Sequence, residues 1–384
     1  LRKELHERFD TELCAMAVPP IGISIDSSSV RTVVADDRMV IVQGRLWLSV
    51  NLETRGLRPF LLPEQYEITD EQPGTLSVVD GVVQLAAFSS GRLVIVEQRQ
   101  DQAPKIKEAR SLHELIRADH ELLATTLQPE AAIFLLLSRS KARPNEPATL
   151  TSVDSHTLDV LDASRHRPAL SGVCAVDNMP RRVLATSVAP ARAKGSWAAA
   201  VFAFDTEALA ARPDLALSQE ALGEPVARFT RAMAWSEQDR TYASYDVFDP
   251  FDPGQVHSAS SLLVLRDQRI VFASADLRRR FAPTAKLLID RAWTLDTSSG
   301  RLWFAAVPRN DADDQDAMLL GVNARTLRPD RPVAIAGVKR IIAIEPHHSG
   351  AVALCALHSG KLAVCHARLL DDGGLSLTID ELPV

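Results

Sequence analysis

The sequence predicts an all-β chain assembled from one repeated four-strand unit. Three observations point there. Short runs rich in Val, Ile, Leu and Ala, mostly four to seven residues long, alternate with clusters of Gly, Asp, Ser and Pro through almost the whole chain. The runs recur in a fixed order, as in RAWTLD, TSSG, RLWFAAV, PRNDADDQD, AMLLGVNARTL and RPVAIAG from Arg291. A phrase in which Asp or Asn is followed a few residues later by Leu recurs at one point of the unit, as VDSHTL (Asp154), FDTEAL (Asp205) and VNARTL (Asn323).

Residues 1–17 are the exception and predict a helix. Leu1, Leu5, Phe9 and Leu13 fall every four residues on one face, and Glu4 and Arg8 sit one turn apart on the other. Pro19-Pro20 forbids its continuation. The segment IGISID (21–26) then alternates Ile with small residues and reads as a strand that pairs with the last unit, where it would cover an exposed edge. Residues 18–384 follow as a single repeat domain. Aligning the third strand of each unit on Asn51, Glu97, Asp154, Asp205, Arg266, Asn323 and His366 gives a spacing of about 52 residues. Seven units of that length account for 18–384. The expected fold is therefore a seven-bladed β-propeller of four-stranded antiparallel blades, preceded by a short N-terminal helix.

Four-strand units carrying these Asp- and Asn-containing phrases resemble the β-propeller superfamily, and loosely its WD-repeat and YVTN-repeat members. No unit has the Gly-His start and Trp-Asp finish of a WD repeat, and none carries a full Tyr-Val-Thr-Asn. The resemblance implies a fold. It implies no activity, since propellers host both enzymes and scaffolds.

Composition narrows the function classes. A hydrophobic share of 46% and a charged share of 24% are those of a globular protein. A net charge of −6, with no basic residues interleaved with aromatics, argues against nucleic acid as a partner. No apolar run is long enough for membrane insertion, and the charged start LRKELHERFD is not a signal peptide. The four cysteines form no CxxC and no disulfide framework, and no Asn-x-Ser/Thr sequon is present, which points to an intracellular, cytoplasmic protein.

Signatures of chemistry are missing. There is no G-x-S-x-G, phosphate loop or G-x-G-x-x-G. His113 and His120 lie seven residues apart, and a zinc protease needs His at Arg117. RNDADDQD lacks the third oxygen ligand and the Gly of a calcium loop, and reads as a solvated acidic loop. His347, His348, Cys355, His358, Cys365 and His366 form a metal-like cluster in sequence. If Ser359-Gly360 is a two-residue turn, Cys355 faces Val364 and Cys365 faces Leu354, so the two thiols point to opposite faces. No catalytic residue, metal or cofactor is expected.

One feature exceeds what the repeat needs. The second and third strands of blades three to six are joined by long connections, at 138–147, 189–196, 248–258 and 308–316, and by short ones elsewhere. The first two bring Arg139, Lys141, Arg143, Arg192 and Lys194; the last two bring Phe248, Asp249, Phe251, Asp252, Asp311, Asp313, Asp314 and Asp316. Equivalent turns of a propeller emerge on one face, so a basic sector beside an acidic one is expected there. The resulting expectation is a non-catalytic scaffold or assembly subunit that binds other protein subunits through that face, and through helix 1–17. The alternative is a hydrolase or lactonase-like enzyme with its site at a central channel. SSGRL, which begins at Ser89 and again at Ser298, joins different strand pairs in the two copies and is read as turn chemistry.

Overall fold

The computed structural model describes residues 16–17, 30–68, 75–79, 81–100, 102–128, 132–143, 146, 148–165, 170–179, 182–190, 197–205, 215–217, 226–248, 256–257, 260–266, 269–281, 287–308, 315–370 and 374–382. The described residues form antiparallel sheets in chain order. The first contains β1 (Met16–Ala17), β2 (Arg31–Ala35), β3 (Arg38–Gln43), β4 (Leu46–Asn51) and β5 (Leu57–Leu61). The next contains β6 (Thr75–Val79), β7 (Val82–Ser89), β8 (Arg92–Arg99) and β9 (Lys105–Ser111). Then come β10 (His120–Gln128), β11 (Ile133–Ser140), β12 (Thr149–Asp154) and β13 (Val160–Arg165). They are followed by β14 (Leu170–Ala175), β15 (Arg182–Pro190), β16 (Trp197–Asp205) and β17 (Leu215–Leu217).

A further sheet has β18 (Val226–Trp235), β19 (Arg240–Phe248), β20 (Val256–His257), β21 (Leu262–Arg266) and β22 (Arg269–Ser274). The last two have β23 (Leu287–Asp296), β24 (Arg301–Pro308), β25 (Met318–Asn323) and β26 (Val333–Ala334), then β27 (Val338–His347), β28 (Gly350–Leu357), β29 (Leu362–Leu369) and β30 (Leu375–Glu381). The chain divides into two units. Residues 110–280 carry the three sheets from β10 to β22, and the remainder carries four.

Apart from β1, which pairs with β5, and β20, which pairs with β19, each sheet runs in consecutive order, and the expected repeat phase is met at the third strand. Asn51, Asp154, Asp205, Arg266 and Asn323 each end the third strand of their sheet, while Glu97 and His366 lie within it. The recurring phrase is a hairpin device. The side-chain oxygen of Asp154 accepts the N–H groups of His156 and Thr157, both at 2.8 Å. Asn51 does the same for Glu53 and Thr54, and Asn323 for Thr326. The residue four positions on (Arg55, Leu158 or Leu327) then takes a positive φ of 55–61° that turns the chain into the fourth strand. A side-chain acceptor thus replaces the glycine such a turn would otherwise favour.

The second and third strands are buried on both faces, which is why they read as continuous apolar runs. Met39 to Val42, Phe134 to Leu137, Leu302 to Ala306 and Ala351 to Cys355 are all buried. In the first unit, β24 and β25 pack on β28 and β29, β28 and β29 pack on β3 and β4, and the opposite faces of β3 and β4 pack on β7 and β8. In the second unit, β11 and β12 pack on β14 and β15, and β15 and β16 pack on β18, β19 and β21. Buried polar links tie these layers at fixed points. The Trp47 indole N–H donates to Gln98 Oε1 at 2.9 Å, and Thr186 Oγ1 donates to the Ala227 carbonyl at 2.9 Å. The outer strands are more open, leaving Val160, Leu161, Val271 and Ile379 exposed.

Several expectations need correction. Met16–Ala17, placed in the N-terminal helix, form a strand paired with Phe60 and Leu61, because β5 offers an unpaired edge. Residues 1–15 and the segment 21–26 lie outside the described residues. Two sheets carry a fifth short strand, β1 on β5 and β20 on β19. Helices among the described residues are only single turns, such as α1 (Leu112–Leu115), which carries His113, and α2 (Leu277–Phe281). None is long and apolar enough to cross a membrane.

The two SSGRL corners and the similar His358-Ser359-Gly360-Lys361 (HSGK) corner are three different turns. At Ser89 the loop is Ser90-Gly91, with φ of 49° and 74°, the primed geometry that suits a two-residue hairpin. At Ser298 a longer loop is held by the buried Asp296 carboxylate, which accepts the N–H groups of Ser298 and Ser299. The HSGK copy closes with the Leu357 N–H on the Lys361 carbonyl around a three-residue loop, with Gly360 at φ 83°. A close approach also fixes the β27–β28 turn. Gly350 has φ 135°, and a Cβ there would lie 2.3 Å from the Ala367 carbonyl oxygen. Gly350→Ala should therefore cost roughly 2 kcal/mol or more, against about 1 kcal/mol for Gly360→Ala, whose surroundings are open. Urea unfolding midpoints of the two variants check this, and equal losses would contradict it.

Candidate functional site

The connections between second and third strands are the first candidate, and their placement at that corner is as expected. Those from β3 to β4 and β7 to β8 are two residues long. Those from β11 to β12, β15 to β16, β19 to β21 and β24 to β25 span 141–148, 191–196, 249–261 and 309–317. The first three belong to the second unit and the last to the first unit.

Where side chains are described, the expected loop charges are partly committed already. Arg139 lies inside β11, and its guanidinium contacts Glu121 Oε1 at 2.7 Å. Arg143 reaches Glu146 at 2.9 Å, a hydrogen-bonded pair that raises the guanidinium pKa further. The Lys141 backbone N–H donates to the Asp119 carbonyl, which holds the start of this connection against the β9–β10 segment. Asp316 accepts the Gly337 N–H at 2.9 Å and lies 3.3 Å from His358. Phe248 ends β19. Arg192, Lys194, Asp249, Phe251, Asp252, Asp311, Asp313 and Asp314 lie outside the described residues.

The C-terminal His/Cys cluster resolves into separate environments. Because the β28–β29 hairpin has a three-residue loop, Cys355 pairs with Ala363 and Cys365 with Ala353. This is one residue away from the sequence expectation, and a one-residue slip reverses every face. The two thiols therefore share a face and sit in the same core with Trp303, Ile341 and Ile344. Burial raises the pKa of both, pushing Cys365 up to about 11, with the nearby Asp380 charge adding to the effect. Burial and Asp177 push Cys174 up to about 12.

His347 lies at the end of β27, its side chain only 6% exposed, with Nε2 3.3 Å from Asp37 Oδ1 in the β2–β3 turn. Its ring centroid is 3.9 Å from that of His348 and 6.3 Å from that of His366. Burial lowers the His347 pKa, with the His348 charge acting in the same direction and Asp37 opposing both. Burial likewise lowers that of His366. Thr32 Oγ1 donates to the buried Glu345 at 2.6 Å, so two polar contacts join β2 and its turn to β27 and its turn. Sequence reasoning grouped His347 and His348 but missed Asp37, more than 300 positions away. It also missed a cavity of about 330 Å³ in the second unit, lined by Met179, Arg182, Leu184, Ala203, Asp239 and Arg240.

The thiols supply a chemical check. With Cys14→Ser as background, the buried Cys355 and Cys365 of the folded protein should not react with an aromatic disulfide reagent at pH 8, Cys174 being half-buried, and three thiols should react on unfolding. The same groups set an alkaline limit. Their folded pKa values lie above the usual value of 9.0, so the stability they contribute is intact below pH 9.0 and is lost as pH rises towards the folded values of about 11 and 12. Urea midpoints should fall across that window, less steeply in Cys365→Ala. Labelling of Cys355 or Cys365 in the folded protein at pH 8 would contradict their buried placement.

No protein-family model matches the sequence, and no curated protein matches it. Solved structures do. Saccharomyces cerevisiae Sqt1 superimposes with a TM-score of 0.50 over 96% of this chain and 88% of its own, at 9% identity. A chain of the mitotic checkpoint complex gives 0.48 over 92% and 91%, also at 9% identity. A prolyl endopeptidase gives 0.48 at 13% identity, covering 100% of this chain and 53% of the enzyme. The successive antiparallel sheets, each built on four main strands, give the chain a β-propeller fold without assigning it to a specific family, and the likeness to Sqt1 is one of fold alone.

Proposed function

We propose that this protein is a non-catalytic protein-binding propeller, a scaffold or subunit of a larger assembly, that docks partners through its long second-to-third-strand connections. One observation carries the reading. The same corner of the repeat is turned by two residues between β3 and β4 and between β7 and β8, yet by six to thirteen residues in four other sheets. The fold does not require that extra length, and loops held on a rigid scaffold are where binding surfaces are built.

The second unit concentrates this excess, with the connections 141–148, 191–196 and 249–261. That from β19 to β21 forms structure of its own, since β20 pairs back onto Val247 and Phe248. Its sequence offers Phe248 and Phe251 as aromatic anchors beside Asp249 and Asp252, while the other two carry Lys141, Arg143, Arg192 and Lys194. Aromatic anchors supply much of the binding energy at interfaces, and complementary charges set orientation and association rate. The acidic 309–317 connection of the first unit, with Asp311, Asp313 and Asp314, extends the same device. Docking through the apolar stripe Leu1, Leu5, Phe9 and Leu13 that precedes β1 belongs to this proposal as a second contact.

Two surface variants test the reading, Lys141→Glu with Arg143→Glu, and Phe248→Ala with Phe251→Ala. Each should leave the unfolding free energy within about 1 kcal/mol of the parent. Each should lower recovery of partner proteins at least tenfold in affinity purification of the tagged protein with quantitative mass spectrometry. Undiminished recovery with both variants would contradict docking through these connections.

A further inference from the structure

We propose that Asp37, His347 and His348 form a binding site for a divalent cation of the zinc class. Asp37 Oδ1 lies 3.3 Å from His347 Nε2 and 3.9 Å from His348 Nδ1, and all three ligand atoms lie within 4.8 Å of one another. Tetrahedral zinc holds nitrogen and oxygen ligands at about 2.0–2.2 Å, which places neighbouring ligand atoms about 3.3–3.6 Å apart. The Asp37–His347 spacing already matches, and the Asp37–His348 spacing needs a few tenths of an ångström of closure, which the exposed His348 can supply by turning inwards towards both ligands.

The site is built from two short turns of different sheets. Asp36 and Asp37 form the β2–β3 turn, with Asp36 at φ 52° and the Asp37 carbonyl accepting the Leu52 N–H at 2.7 Å. His348 and Ser349 form the β27–β28 turn, and the approach of Gly350 to the Ala367 carbonyl fixes its path. Both turns are thus held by backbone contacts independent of the three side chains. The remaining His347 nitrogen, Nδ1, lies 2.7 Å from Ser349 Oγ. That contact orients the ring so that Nε2 faces Asp37, which is the outer-shell support metal-binding histidines generally have.

The donor set selects the ion. Two imidazoles and one carboxylate suit zinc and its later first-row neighbours, whereas calcium and magnesium prefer all-oxygen shells. Three protein ligands leave at least one position to water. The bound ion would join the first and last sheets of the first unit at the point where Thr32 already bonds Glu345. These residues are about 310 positions apart, so the unfolded chain offers no comparable site and binding favours the folded state.

The test uses the full chain stripped with chelator, then titrated with Zn²⁺ by calorimetry and with Co²⁺ by visible absorption. One Zn²⁺ per chain is expected, with Co²⁺ bands of tetrahedral or five-coordinate intensity. A melting temperature about 3 °C higher is expected at a hundredfold excess over the dissociation constant, and no shift with Ca²⁺ or Mg²⁺. His348→Ala and Asp37→Asn should each weaken binding at least tenfold, and Ser349→Ala by about tenfold through the outer shell. His348 is 70% exposed, so its variant reports on ligation without threatening the fold. Absence of Zn²⁺ binding, or binding unchanged in the Asp37→Asn/His348→Ala double variant, would overturn the assignment.

Discussion

Burial of the second and third strands on both faces is the constraint on which the rest of the structure depends. A sheet with two apolar faces has no stable existence alone, so each sheet must find a neighbour on either side. Within the first unit the faces of β3 and β4 show this directly. Met39, Ile41, Leu48 and Val50 meet β28 and β29, while Val40, Val42 and Trp47 meet β7 and β8. Alternate residues of one strand thus serve two cores. That leaves only the corners and the outer strands free of packing duty.

The corners differ in what they are asked to hold. The third-to-fourth-strand turns repeat one solution, an Asp or Asn acceptor and a residue at positive φ, in three sheets whose other residues have little in common. The second-to-third-strand corners diverge instead, from two residues to more than ten. Uniformity at one corner and divergence at another is the pattern of a scaffold whose geometry is fixed and whose surface is not. The same physics explains a TM-score of 0.50 with Sqt1 at 9% identity. Many apolar sequences satisfy two-sided burial, so the architecture is shared where the sequence is not, and the architecture alone names no activity.

Much of the architecture was legible because burial leaves a one-dimensional trace. Continuous apolar runs marked the inner strands, the Asp and Asn phrases marked the third strand of three sheets, and alignment by spacing extended this to Asn51 and Arg266 as terminal residues. What depends on a single residue of loop length was not legible. Ser359-Gly360 could close a two- or a three-residue hairpin, and the difference moved Cys355 and Cys365 from opposite faces to one shared core. Met16–Ala17 fitted a helical stripe because periodicity does not record the empty edge of β5. Asp37 was missed because nothing local distinguishes it from any turn aspartate. Its meeting with His347 follows from the packing of the first sheet against the last within one unit. The Arg139–Glu121 pair was missed for a related reason, since it depends on the β10–β11 register.

Residue-resolved native-state hydrogen exchange tests two-sided burial most directly. The account predicts that amides of β3, β7, β11, β24 and β28 exchange only through the largest openings, while those of the outer strands β13, β22 and β30 exchange through smaller, local ones. Outer strands protected as strongly as the second strands, or second strands that open locally, would contradict it.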